Sequence, residues 1–152
     1  MKLFEHALNL GDMIVTNEPT NIACYGLGSC VGLFIYDRVN KISGAAHVVL
    51  SDELEKHTTY NAKTAFEKII EEIEKIGGNK NALRAKIVGG ANLFNTGFKT
   101  GENNVKALKK LILDNKIYLA GQDTGGSKSR TARFNTINGN LSVSSQNLKY
   151  AI

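Results

Sequence analysis

The sequence predicts an α/β or α+β domain, a single domain over residues 1–152 in which two main helices cover a mixed β-sheet. Three observations predict it. Short apolar runs of strand length recur along the chain, two longer stretches carry apolar residues at helical spacing, and the elements follow the order strands, helix, strand, helix, strands. A chain of 152 residues buries roughly 70% of its unfolded surface without needing cross-links.

Gly11 to Val15 reads as a short strand, Asn17 to Asn21 as a loop around the only proline, Pro19, and Ile22 to Tyr25 as a second strand. Val31 to Tyr36 is apolar on both faces, as a central strand requires. The polar turn Asp37-Arg38-Val39-Asn40 then joins it to the apolar stretch Ile42 to Leu50, predicting a hairpin. From about Tyr60 to Ile76, Ala62, Phe66, Ile69, Ile70, Ile73 and Ile76 recur at helical spacing, and Gly77-Gly78 ends the helix. Leu83 to Val88 reads as a buried strand closing on Gly89-Gly90-Ala91. A second helix, about Asn103 to Asn115, presents Val105, Leu108, Leu111 and Ile112 on one face. Ile117 to Ala120 is a further strand, leading through Asp123-Thr124-Gly125-Gly126 into a polar loop, Ser127 to Arg130. Asn138-Gly139 between Thr131–Thr136 and Leu141–Val143 is a strong hairpin signal. Gln146 to Ile152 is left as an edge strand or a frayed end.

Composition narrows the function classes. The net charge of +5 arises from 19 Lys and Arg against 14 Asp and Glu, spread over the chain. No aromatic residues interleave with the basic ones, which argues against a nucleic-acid platform and leaves an acidic protein partner as the better match. No run reaches membrane-spanning length and no signal peptide is visible, so the reading is a cytoplasmic protein without membrane insertion. Cys24 and Cys30 lack structural-zinc spacing and point to a reducing compartment; on an extended segment they lie too far apart to bridge. His6 and His57 sit in polar contexts that suit surface residues, and no ligand cluster suggests a metal.

The chemistry concentrates at Gly26-Leu27-Gly28-Ser29-Cys30. Its glycines let successive amides turn toward an anion, and it delivers a thiol where a bend meets a strand. A free cysteine is usually a small buried hydrophobe, so position alone does not make Cys30 a nucleophile. The hairpin adds to it. Folded symmetrically about the four-residue turn, it sets Tyr36 opposite Lys41, Phe34 opposite Ser43, Gly32 opposite Ala45 and Cys30 opposite His47. Directly opposed residues share a face at roughly 5 Å between Cβ atoms, close enough for an imidazole to activate a thiol. Equally, a histidine in an apolar strand is often a satisfied core residue, and a register shift would undo the pairing.

Taken together, Leu27-Gly28-Ser29-Cys30-Val31, Ala46-His47-Val48, Gly89-Gly90-Ala91 with Phe94, Gly101 with Asn104-Val105, and Asp123-Thr124-Gly125-Gly126 with Arg130 and Gly139 resemble the CheD family of chemoreceptor glutamine deamidases. The resemblance runs over roughly residues 9 to 143. It implies an α/β sandwich related to deamidating toxins, with Cys30 as nucleophile and His47 as general base and acid. It also implies a thioester route from glutamine to glutamate on a chemoreceptor, no cofactor, and a possible receptor methylesterase activity. The amides of Gly28 to Cys30, with Ser29, are the candidate oxyanion donors. Thr124 and Arg130 are candidates either to contact substrate or to hold their loop. One position departs from the family: its third catalytic residue is usually threonine, and here it is Cys24. A main-chain carbonyl acting on His47 would survive that exchange and a hydroxyl would not. The alternative is a regulatory binding module for a CheC-type phosphatase; a thiol peptidase or acyltransferase is a weaker third reading.

Overall fold

The computed structural model describes residues 3–51 and 58–152, so the predicted loop residue His57 lies outside the described part. Among the described residues ten strands form two five-stranded sheets. One sheet has the order β1 (Phe4–Ala7), β3 (Thr20–Leu27), β8 (Arg130–Asn135), β9 (Leu141–Ser145), β10 (Leu148–Ala151). The other runs β2 (Met13–Thr16), β5 (Ile42–Val48), β4 (Val31–Asp37), β6 (Leu83–Gly89), β7 (Tyr118–Thr124). Both are mixed, because β1 pairs with β3, and β6 with β7, in parallel. Helices α1 (Ala62–Lys75) and α2 (Thr100–Asp114) pack on the β4-centred sheet. The layers are therefore helices, sheet, sheet.

Alternation along β4 explains the layering. Val31, Leu33 and Ile35 face the helices, where Phe66, Ile69 and Ile73 of α1 and Leu108 and Ile112 of α2 complete one core. Phe34 and Tyr36 face the other way and meet Phe134 in a second core between the sheets, with ring centroids 5.4 and 5.1 Å apart. A strand sandwiched on both sides has to be apolar throughout, and every residue of β4 is buried. Full burial of each large side chain stabilises the fold by about 1.5–3 kcal/mol.

Helix α1 starts where the Asn61 side chain accepts the Thr64 amide at 2.9 Å. It stops at Gly77, whose φ of +103° lets the Gly78 amide reach back to the Ile73 carbonyl at 2.9 Å. Helix α2 begins at Thr100, three residues before the predicted start. Strand β1 was not anticipated, and the carboxy-terminal segment forms the edge strand β10 rather than fraying. The Asn138-Gly139 hairpin forms as expected between β8 and β9, with Gly139 at φ +75°.

The first hairpin forms in a different register. Asp37 pairs with Ile42, Tyr36 with Ser43, Phe34 with Ala45 and Gly32 with His47, a shift of two residues from the predicted pairing. The cause is Asp37. Its Oδ1 accepts the amides of Val39 and Asn40, both at 3.0 Å, which holds Asp37 in the strand and pushes Lys41, at φ +56°, into the turn. A shift of two keeps every side chain on its expected face. Cys30 is thus not directly opposite His47, yet both still lie on the face between the sheets.

Candidate active site

Cys30 is half-buried, sits just before β4, and packs against the inter-sheet core. Three glycine-containing loops meet around it. The Gly90 amide donates to the Cys30 carbonyl at 2.9 Å, and the Ala91 amide donates to that of Gly28 at 2.8 Å. The Gly125 amide donates to the Gly89 carbonyl at 3.0 Å, and the Asn92 amide to that of Gly126 at 2.9 Å. Gly89 has to be glycine, because a Cβ there would lie 2.2 Å from the Cys30 carbonyl oxygen and its φ is +122°. The bend's carbonyls are engaged on one side, while the amides of Ser29 and Cys30 donate to no backbone carbonyl among the described residues, and that of Cys30 faces its own thiol.

His47 is 4% exposed. The segment between β1 and β2 wraps it: its own amide donates to the Asp12 carbonyl at 3.0 Å, and the Gly11 amide donates to its carbonyl at 3.0 Å. Its Nδ1 lies 3.2 Å from the Leu8 carbonyl oxygen. A carbonyl can only accept, so Nδ1 carries the proton and Nε2 the lone pair. Nε2 is buried with no hydrogen-bond partner among the described residues. Among the described residues, the carbonyl that meets the imidazole Nδ1 is that of Leu8.

Burial moves both groups toward neutrality. Desolvation pushes the His47 pKa below its usual value, against the opposing hydrogen bond to Leu8 and the Asp12 charge. Desolvation also raises the Cys30 thiol, against the pull of its own backbone amide. Both shifts favour the neutral forms, thiol and free imidazole, over thiolate and imidazolium. Cys24 is wholly buried in the inter-sheet core, and desolvation, with a smaller repulsion from Cys30, pushes its pKa up to about 12. Such a thiol stays protonated near neutral pH.

The other predicted residues lie nearby. Thr124 ends β7 beside Gly89. Arg130 pairs with Leu27 across β3 and β8. Its guanidinium is spoken for by Asp123, at 3.4 Å, whose other carboxylate oxygen accepts the Tyr150 hydroxyl. Ser29 also lines a cleft of about 190 Å³ walled by Asn92, Leu93, Phe94 and Phe98. Phe94 and Phe98 are 84% and 82% exposed. Sequence reasoning missed the Leu8 carbonyl, which carries no side-chain signal, and the structural use of Asn104. Among the described residues no group of His, Cys, Asp and Glu is arranged to hold a metal, and no helix is long and apolar enough to cross a membrane.

Fold and site together describe a two-sheet α/β domain with a thiol and an imidazole on its inter-sheet face. The comparisons make the class specific: residues 41–145 match the family model described as CheD chemotactic sensory transduction. The chain is 36% identical over 152 residues to the probable chemoreceptor glutamine deamidase CheD of Clostridium kluyveri, covering 94% of each chain. It is 37% identical over 146 residues to the chemoreceptor glutamine deamidase CheD of Halalkalibacterium halodurans, covering 90% of each. The chain belongs to the CheD family. Among solved structures, the hypothetical protein YfiH of Bacillus licheniformis aligns with a TM-score of 0.48 at 15% identity, over 76% of this chain and 50% of that one.

Proposed function

We propose that this protein is a cytoplasmic protein-glutamine deamidase that converts chemoreceptor glutamines to glutamate through a Cys30 thioester. The observation that carries the reading is the unpartnered Nε2 of His47, buried on the same inter-sheet face as the half-buried Cys30 thiol. A nitrogen lone pair held out of water without a partner is a costly arrangement, and it suits a base awaiting a proton. The family relatives named as chemoreceptor glutamine deamidases support the substrate.

The reaction starts from the neutral pair. Nε2 takes the Sγ proton as the sulfur attacks the carboxamide carbon of glutamine. The carbonyl electrons move onto oxygen, where the free amides of Ser29 and Cys30 stabilise the oxyanion. The carbonyl re-forms, the C–N bond breaks, and the imidazolium gives its proton to the departing ammonia. Water, deprotonated at Nε2, then attacks the thioester, and the C–S bond breaks to leave glutamate and the thiol. The same attack on a glutamyl methyl ester would release methanol, so methylesterase activity belongs to the proposal. Within it Cys24 fills the core beneath the site, and Thr124 and Arg130 shape its far wall.

A CheC-type phosphatase is the proposed regulatory partner. The exposed Leu93, Phe94 and Phe98 beside Ser29 support a docking face shared with the receptor, so that phosphatase binding occludes the thiol. Mass spectrometry of a chemoreceptor cytoplasmic fragment tests the main reading. Wild-type protein is expected to convert specific glutamines to glutamate, whereas Cys30→Ala and His47→Ala leave them as amides. Conversion that survives Cys30→Ala would overturn the thioester route.

A further inference from the structure

We infer that Asn104 is a positioning residue for the oxyanion site, holding the peptide plane whose amide receives the developing charge. The inference rests on the thioester reading above. Asn104 lies in the first turns of α2 and is wholly buried. Its Nδ2 donates to two carbonyls, those of Ser29 and Val49, both at 2.9 Å. The orientation of the amide follows from chemistry, since a flipped side chain would set Oδ1 against two carbonyl oxygens.

The Ser29 carbonyl and the Cys30 amide belong to one peptide unit, which is planar and trans, so its C=O and N–H point in opposite directions. By gripping the Ser29 oxygen, Asn104 aims the Cys30 N–H away from α2. That amide acts on its own thiol, pulling the Cys30 pKa down against desolvation. The Val49 carbonyl, two residues beyond His47, gives the Asn104 amide its second anchor. The Asn104 side chain thus spans from the nucleophile's bend to the strand of the base.

Close packing brings α2 near enough to do this. A Cβ at Gly101 would lie 2.5 Å from the Ala91 carbonyl oxygen and 2.6 Å from the Gly90 backbone, and one at Gly90 would lie 2.3 Å from Val105. Meanwhile Oδ1 of Asn104 is buried without a partner. An apolar side chain would avoid that cost. The retained amide is explained by the two donors it supplies.

The test compares Asn104→Ala and the isosteric Asn104→Asp with Ile73→Ala, a buried change in α1 that weakens packing away from the site. Deamidation of a receptor cytoplasmic fragment and alkylation of Cys30 by iodoacetamide are measured on each folded variant. Alkylation needs the nucleophile but develops no oxyanion. Loss of the positioned donor is expected to lower kcat by about 100-fold, with KM unchanged. Alkylation should fall far less than kcat, since the thiol is intact and loses only the pull of one amide. Ile73→Ala should lower the melting temperature yet keep kcat. Wild-type kcat in either folded Asn104 variant, or alkylation falling in step with kcat, overturns the assignment. Wild-type protein that is alkylated normally yet deamidates nothing overturns the deamidase reading and the assignment with it.

Discussion

At its carboxy-terminal end, β4 finishes in Asp37, a carboxylate withdrawn from solvent and surrounded by donors. Its oxygens accept the amides of Val39 and Asn40 and, at 2.7 and 2.9 Å, the Asn40 side chain and the Asn79 amide. At the other end of the same strand, Cys30 and His47 are also removed from water, but the His47 Nε2 has been given nothing. Burial alone pushes the Asp37 pKa up, and the hydrogen bonds outweigh it and hold the carboxyl below its usual range. The thiol has only its own backbone amide against desolvation and the imidazole lone pair has no donor, so desolvation governs both. The same burial therefore favours an ion at one end and a neutral thiol and imidazole at the other. Completed hydrogen bonding marks the structural end, and missing hydrogen bonding marks the chemical one.

Breaking the chemical end should have the largest effect. Cys30→Ala is expected to lower deamidation by on the order of 10⁴-fold or more, read by mass spectrometry, with the melting temperature little changed. His47→Ala should cost on the order of 10³-fold in kcat. The pH profile sharpens the contrast. Only neutral His47 can act as the base, and its pKa is depressed below 6.5, so kcat/KM should hold as pH falls to that value and decline only below it. The same shift bears on stability, because the folded state resists protonating His47. Denaturant midpoints should fall as pH drops from about 6.5 through the lower folded value, and His47→Gln should lessen that fall.

Breaking the structural end should leave the chemistry alone. Asp37→Ala is expected to cost about 3 kcal/mol of unfolding free energy, measured by denaturant titration, with kcat per folded molecule unchanged. Because the folded pKa of Asp37 lies below 3.8, its contribution should be fully present above that pH and be lost as pH falls through the folded value. The smallest effect is expected from Cys24→Thr. A hydroxyl placed in the inter-sheet core should cost about 1 kcal/mol and leave kcat within about threefold. A much larger change in kcat would give position 24 a part in the chemistry.

The two ends also differed in how far they were legible in the sequence. That Cys30 and His47 share a face follows from the period of two along a strand, and it holds in the structure. Their register did not follow, because it depends on whether Asp37 ends a strand or begins a turn, which its carboxylate decides by capturing two amides. The two helices were legible from their apolar spacing, and the first also from its Gly77-Gly78 stop. The division of the strands into two sheets was not, since β3 and β8 come from residues more than a hundred positions apart and alternation does not name a partner. The Leu8 carbonyl and the Asn104 clamp share this opacity. One is a backbone atom any residue would supply, and the other acts on a carbonyl 75 positions away.

The segment between β1 and β2 touches His47 through its amide, its carbonyl and its ring. The proposed base is therefore latched by Leu8, Gly11 and Asp12, and any opening that lifts this segment frees the ring to turn. Hydrogen exchange at the amides of Gly11 and His47 should proceed through a single shared opening event, whose equilibrium constant sets the fraction of molecules in which the ring is released.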